Sequence, residues 1–286
     1  MNQVSRLIII LLIALTCVVT FVFQPTQSVF SMPNLALQPQ NNVDGAQKIN
    51  FERYFKEIGV EGSILIYDLK ANRTYQHNLT RNATSYLPAS TFKILNSLIS
   101  LETGVISDEV AVLTWDGIKR DIEEWNHDLN MKEAYKHSAV WFYQVLARKV
   151  GHERMQDWVT KVGYGNKKIG GEKDIDKFWL EGELRITPQE QIQFLRRLYN
   201  QDLPFSKRTF SIVKDIMVVE QTPDYTIRAK TGWATKVAPQ IGWYVGYLER
   251  NKNVYFFAVN IDIRNNKDLA ARKELMRRCF KDLRLL

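Results

Sequence analysis

Ser90 and Lys93 stand three residues apart in Ser90-Thr-Phe-Lys93, directly after Pro88-Ala89 and at the opening of an apolar helical pattern. On a helix that step brings the serine hydroxyl and the lysine amine to one face. A hydroxyl is a weak nucleophile until a neighbouring base takes its proton, and a neutral lysine, or a derivative of it, can be that base. Backbone N–H groups at a helix start also favour a developing oxyanion. The combination suits acyl transfer. The spacing alone has little specificity, because Ser211-Ile-Val-Lys214 repeats it inside another apolar helical pattern.

Other chemistries lack their residues. The sequence contains no G-x-x-x-x-G-K-[ST], no G-x-G-x-x-G after a strand, no H-E-x-x-H and no C-x-x-C, and His77, His127, His137 and His152 show no ligand spacing. Nucleotide and metal chemistry are therefore not expected. G-x-S-x-G is also missing, which argues against an α/β-hydrolase esterase. The net charge of +8 comes without a Lys/Arg-rich run, so it reads as a solubility feature and predicts no nucleic-acid partner. With Cys17 and Cys279 as the only cysteines, a disulfide framework is excluded.

Positioning the serine and lysine requires a folded body, and 286 residues with 45% hydrophobic content provide one large domain or two closely packed subdomains. Residues 1–31 read as a secretory leader: Arg6, an uncharged apolar run from Leu7 to Phe23, then a polar stretch reaching Ser31. The rest of the chain is accordingly expected to be exported, periplasmic or secreted. The apolar run is about the minimum length for a membrane span, so an uncleaved anchor is the alternative and the one expected membrane contact. Residues 32–46, rich in Asn, Gln and Pro, read as a flexible linker, and the catalytic domain as 47–286.

Within that domain a short helix is expected near 49–55 and two strands at 62–68 and 74–77. The pattern from 90 to about 198 is mainly helical, and Thr187-Pro-Gln-Glu190 opens one helix with an N-cap, a first-turn proline and a capping box. Strands at 226–230, 241–248 and 254–261 and a basic amphipathic helix at 269–283 complete the order. This is not the alternation of a doubly wound sheet. It predicts an α+β fold, an antiparallel sheet built from both chain ends and flanked by helices, with a mainly helical subdomain inserted. The cleft between the parts is the natural site.

Two further triplets follow Ser90 in order: Ser138-Ala-Val140 in the helical region and Lys230-Thr-Gly232 on a strand leading into the last meander. These match the serine penicillin-recognising motifs. Ser211 lies after Ser138 and too near Lys230 to leave room for a helical insertion. Tyr164-Gly-Asn166, Ile175-Asp-Lys-Phe-Trp-Leu-Glu-Gly182, and Gly242-Trp-Tyr-Val-Gly246 followed by Tyr255-Phe-Phe-Ala258 extend the match. From residue 50 to 286 the chain resembles the class D serine β-lactamases, the oxacillinase type, with valine as the third residue of the second motif.

The resemblance implies a β-lactamase/D,D-peptidase-like fold and hydrolysis of the β-lactam amide bond through an acyl-enzyme on Ser90. It implies that Lys93 carries carbon dioxide as a carbamate and acts as general base, with no other cofactor and no metal. Phe92, Val140 and Trp179 would line the Lys93 pocket, Trp179 hydrogen-bonding the carbamate. The apolar Val140 would desolvate the amine and lower its pKa, leaving it neutral enough to react. Ser138 and Lys230 would relay a proton to the leaving nitrogen, and the backbone N–H groups of Ser90 and Trp233 would form the oxyanion hole. Thr231 and Arg272, beside Gly232, would hold the carboxylate of a small-molecule β-lactam. Arg264 is a nearby rival to Arg272, and Tyr164-Gly-Asn166 reads as a turn shaping the pocket wall. Two relatives of this chemistry remain as alternatives: a β-lactam-sensing or penicillin-binding domain acylated without efficient turnover, and a peptidoglycan D,D-peptidase.

Overall fold

A computed structural model describes residues 49–286, so the expected leader and linker lie outside the described residues. The chain opens with α1 (Glu52–Ile58), β1 (Gly62–Asp68), β2 (Arg73–His77) and α2 (Leu79–Asn82), then a 3₁₀ turn, Ala89–Phe92, running into α3 (Lys93–Glu102). After β3 (Val112–Leu113) and β4 (Leu129–Asn130) come α4 (Met131–His137), α5 (Val140–Val150), α6 (His152–Val162), α7 (Pro188–Asn200) and α8 (Lys207–Ile216). The chain closes with β5 (Val218–Gln221), β6 (Tyr225–Ala234), β7 (Gln240–Arg250), β8 (Asn253–Ile263) and α9 (Asp268–Asp282).

Six strands form one sheet in the order β2-β1-β8-β7-β6-β5, each neighbouring pair antiparallel. The pairing of β1 with β8 joins the two ends of the chain, and the helical segment α3–α8 is inserted between them, as the α+β pattern predicts. One face of the sheet carries Ile64, Ile66, Ile227, Leu248, Phe257 and Val259. Against it pack Phe51 and Phe55 at α1 and Leu275, Met276 and Phe280 of α9. Each such side chain contributes about 1.5–3 kcal/mol when removed from water.

Three features differ from the sequence expectation. The strands β6, β7 and β8 extend well past their apolar cores, because hairpin pairing runs unbroken from Tyr225↔Arg250 to Ala234↔Ile241 and carries polar ends along. A two-stranded ribbon, β3 with β4, interrupts the helical segment, and β5 adds an edge strand. Elements of two to four residues are too short to show a periodicity. The capping box of α7 forms as expected: Glu190 N donates to Thr187 Oγ1 at 3.0 Å and Thr187 N to Glu190 Oε2 at 2.8 Å.

Where β5 ends, the site begins. The β5 register stops at Val218↔Arg228, so from Lys230 onward β6 is paired on one side only, with β7. Its other edge meets the 3₁₀ turn. A Cβ placed on Gly232 would lie 3.1 Å from the Pro88 carbonyl oxygen and 3.1 Å from Thr91 Cγ2, so a side chain there would push the turn back by a few tenths of an ångström.

Candidate active site

Ser90 sits in the 3₁₀ turn and Lys93 is the first residue of α3. Lys93 Nζ donates to Ser90 Oγ at 2.8 Å. The turn bends at Ala89, whose φ of 48° is a left-handed conformation that a residue with a side chain adopts only at a cost. The Ala89 N–H is held by the Trp179 carbonyl at 2.9 Å. Lys93 has no exposed surface, and this burial, with repulsion from Lys230 second, holds its amine well below the usual lysine range. Burial thus favours the unprotonated form that a base requires.

Aromatic rings wall the pocket. Phe92 stacks on Trp179 with centroids 5.5 Å apart and meets Phe178 and Tyr164 edge-on at 5.0 and 5.6 Å. Trp179 is fully buried and its Nε1 has no hydrogen-bond partner. An unpaired buried donor costs about 1–3 kcal/mol, which singles this atom out. Val140, half-buried, opens α5. One turn on, the Tyr143 ring centroid lies 5.3 Å from Lys93 Nζ, and the Tyr143 hydroxyl shares a 2.9 Å hydrogen bond with Ser97. Tyr143 reads in the sequence as a core position only; its step of three from Val140 was the available signal.

Ser138 terminates α4 in a left-handed conformation, φ 61°, its N–H donating to the Tyr135 carbonyl at 3.2 Å. Lys230, on β6, is 4% exposed and donates to the Thr231 carbonyl at 3.2 Å. Its Nζ lies 5.4 Å from the Tyr135 ring centroid. Burial, then the charges of Arg272 and Lys273, bring its pKa down to about 7. The two buried amines lie near enough to repel each other.

Arg272, on α9, reaches β6 from the opposite side of the strand pair: its Nη1 donates to the Gly232 carbonyl at 2.8 Å and its Nε to Leu269 O at 2.7 Å. A Cβ at Gly242 would come within 3.0 Å of Arg272 Cδ, so that glycine makes room for the arginine. Burial lowers the guanidinium to about 10, leaving it cationic near neutrality. The rival Arg264 is engaged elsewhere, with Asp268 at 3.3 Å and with the Gly59 carbonyl. Thr231 is half-buried, whereas Trp233 stands exposed, with Nε1 donating to Gln240 Oε1 at 2.8 Å.

Tyr164-Gly-Asn166 fastens the loop that carries Trp179. Asn166 donates to Glu183 O at 2.8 Å and accepts from Arg185 N at 3.0 Å, and Tyr164 packs edge-on against Phe92. Among the described residues no group of three or more His, Cys, Asp or Glu side chains is arranged to hold a metal. A serine hydroxyl hydrogen-bonded to a buried lysine amine, whose neutral form that burial favours, is equipped for nucleophilic acyl transfer.

The comparisons agree with that chemistry. The family model of the penicillin binding protein transpeptidase domain matches residues 40–281. Beta-lactamase OXA-48 of Klebsiella pneumoniae is 40% identical over 259 residues, covering 91% of this chain and 95% of that protein. The probable beta-lactamase YbxI of Bacillus subtilis (strain 168) is 40% identical over 216 residues, covering 75% of this chain and 79% of that one. Among solved structures, a class D β-lactamase YbXI from Nostoc is 60% identical with a TM-score of 0.83, covering 83% of this chain and all (100%) of that one. FUS-1 (OXA-85) from Fusobacterium nucleatum subsp. polymorphum is 41% identical with a TM-score of 0.80, covering 82% and 98%. The chain belongs to the class D β-lactamases, within the penicillin-recognising fold, and is a serine hydrolase of that family.

Proposed function

We propose that the chain opens the lactam ring of β-lactam antibiotics through an acyl-enzyme on Ser90 and releases the product by hydrolysis, with Lys93 at the proton-accepting position in both steps. The observation that carries this reading is the 2.8 Å hydrogen bond between a fully buried Lys93 and a half-buried Ser90. Carbon dioxide would suit the Lys93 amine: Phe92, Val140 and Trp179 are the residues read as bounding its pocket, and the unpaired Trp179 Nε1 would offer a donor to an added carboxylate. Joined there, it would supply a carboxylate base on the lysine.

Ser90 Oγ attacks the lactam carbonyl, and the backbone N–H groups of Ser90 and Trp233 receive the oxyanion, a contribution of roughly 3–4 kcal/mol per donor in comparable sites. Lys230, with a pKa of about 7, exchanges a proton with the Ser138 hydroxyl, which passes it to the leaving nitrogen. Thr231 and Arg272 hold the substrate carboxylate on either side of Gly232. Residues 47–286 form the catalytic domain, and the leader pattern of 1–31 supports action outside the cytoplasmic membrane, periplasmic or secreted.

The test is a stopped-flow trace of purified residues 32–286 with a chromogenic cephalosporin and with a penicillin, in bicarbonate buffer, followed by intact mass. A burst leading into sustained turnover is expected. A single stoichiometric burst, with a stable mass increase lost in Ser90→Ala, would make the chain an acylated sensor or penicillin-binding domain instead. The transpeptidase family model keeps the peptidase reading in view, and turnover of a D-Ala-D-Ala peptide would favour it.

A further inference from the structure

A buried polar chain that takes no part in the chemistry above runs into the turn that carries the nucleophile. Thr91, next to Ser90, has no exposed surface; its Oγ1 donates to the Pro88 carbonyl at 2.8 Å and accepts from Gln191 Nε2 at 2.8 Å. Gln191 lies in the first turn of α7, equally buried, 100 residues further along the sequence. Its Oε1 has no partner, and the Tyr164 hydroxyl lies close to both Thr91 and Gln191. Leaving a buried amide oxygen unpaired is unfavourable. The amide nevertheless keeps its N–H on Thr91.

This chain ends at a close approach within the site. The Pro88 carbonyl immediately precedes Ala89, with its left-handed φ of 48°. The same carbonyl, and the methyl of the same Thr91, are the atoms that a Cβ on Gly232 would meet, each at 3.1 Å. The two residues that Gln191 steadies thus set the gap between the Ser90 turn and the β6 segment carrying Lys230 to Trp233. Trp179, which holds Ala89 N–H through its carbonyl, braces the turn from the other side.

We propose that Gln191 is a positioning residue for acyl transfer: acting through Thr91 and the Pro88 carbonyl, it holds the Ser90 turn at its distance from β6. Gln191 acts on Thr91 rather than on a reacting atom, so its effect belongs to alignment. The inference rests on the acyl-transfer reading of Ser90.

The experiment measures the acylation rate constant by single-turnover stopped flow with a chromogenic cephalosporin, using the wild type, Thr91→Val, Gln191→Leu and the double variant. Each single change should slow acylation by roughly tenfold to a hundredfold, the scale of a misplacement of about 1 Å. The double variant should be no slower than the slower single, because both cut one chain. Thr91→Ser keeps the hydroxyl bonds to Pro88 and Gln191 but loses the methyl that faces Gly232, so its acylation should fall between wild type and Thr91→Val. The carbamate signal in a ¹³C spectrum with labelled bicarbonate should persist in every variant, separating misalignment from loss of the base. Should Gln191→Leu not fold, Gln191→Asn keeps the amide but withdraws it by one methylene, and slowed acylation is again expected. Unchanged acylation in the Gln191 variant, multiplied losses in the double, or Thr91→Ser as slow as Thr91→Val would each overturn the inference. A wild type that is not acylated at all removes the acyl-transfer reading and this role with it; acylation that is fast in wild type and variants alike removes the role alone.

Discussion

Two segments of this chain carry the same four-residue pattern and do different things. Ser90-Thr-Phe-Lys93 lies where a 3₁₀ turn enters α3, and Ser211-Ile-Val-Lys214 lies within α8. Lys93 has no exposed surface, and its amine is bonded to its own serine at 2.8 Å. Lys214 is partly solvated and donates instead to Tyr199 O, in the last turn of α7, at 2.8 Å, while Ser211 is exposed. The second lysine is a cap on the carbonyl end of a helix. Both amines are lowered by burial, but Lys93 much further, because its burial is complete and Lys230 adds repulsion, whereas Lys214 is only half-buried. A hydroxyl and an amine at one spacing become a nucleophile and a base only where the fold withholds every competing acceptor and the solvent.

The largest effect should separate the two serines. Ser90→Ala is expected to lower kcat/KM for a penicillin on the order of 10⁴-fold or more and to abolish the acyl-enzyme mass increase. Ser211→Ala should leave kcat/KM within about twofold, since surface changes away from the site have small effects. Equal losses in the two variants would erase the distinction.

A sharper comparison concerns what the pocket adds to the lysine. Trp179→Phe preserves the ring stacked on Phe92 and deletes the unpaired Nε1 donor. A hydrogen bond to a charged group is worth about 1.5–3 kcal/mol, so the affinity of Lys93 for carbon dioxide should fall roughly tenfold to a hundredfold. The ¹³C carbamate signal, titrated with labelled bicarbonate, reads this directly, and Lys214 should give no such signal. Undiminished carbamate in Trp179→Phe would show that burial alone holds the group.

The sequence displays this contrast only in part. Order along the chain, Ser90 before Ser138 before Lys230, separates the two patterns, because a helical insertion needs room that Ser211 does not have. The sheet built from both ends is legible for a similar reason: β1, β7 and β8 are long apolar runs with turn residues between them. What escapes is whatever depends on contacts between distant segments. Ala89 and Ser138 adopt left-handed conformations without being glycines, so nothing in their identity announces the bends at the site. Tyr143 is indistinguishable by periodicity from its core neighbours, and the Gln191–Thr91 bond joins residues 100 positions apart. Arg272 and Arg264 look alike in the sequence; it is the approach of α9 to Gly242 and Gly232 that puts Arg272, and not Arg264, against β6.

The smallest effect bears on stability and sets Lys230 against Lys214. In an unfolded chain a lysine binds its proton up to about pH 10.4, whereas folded Lys230 releases it at about 7. Between those values the unfolded state binds more protons than the folded one, so stability rises with pH across that window. The penalty from burying Lys230 is therefore full below about pH 7 and gone above about pH 10.4. Lys230→Met removes it, and Tm in bicarbonate-free buffer should increase by roughly 2–8 °C near neutrality, with the gain shrinking towards about pH 10. Lys214→Met gives up the bond to Tyr199 and relieves a smaller burial, so its Tm should stay level or fall slightly at both pH values. A Lys230→Met variant that loses Tm equally at the two pH values would mean that the buried amine is held by partners strong enough to repay its desolvation. The catalytic lysine and the capping lysine would then differ in chemistry but not in their cost to the fold.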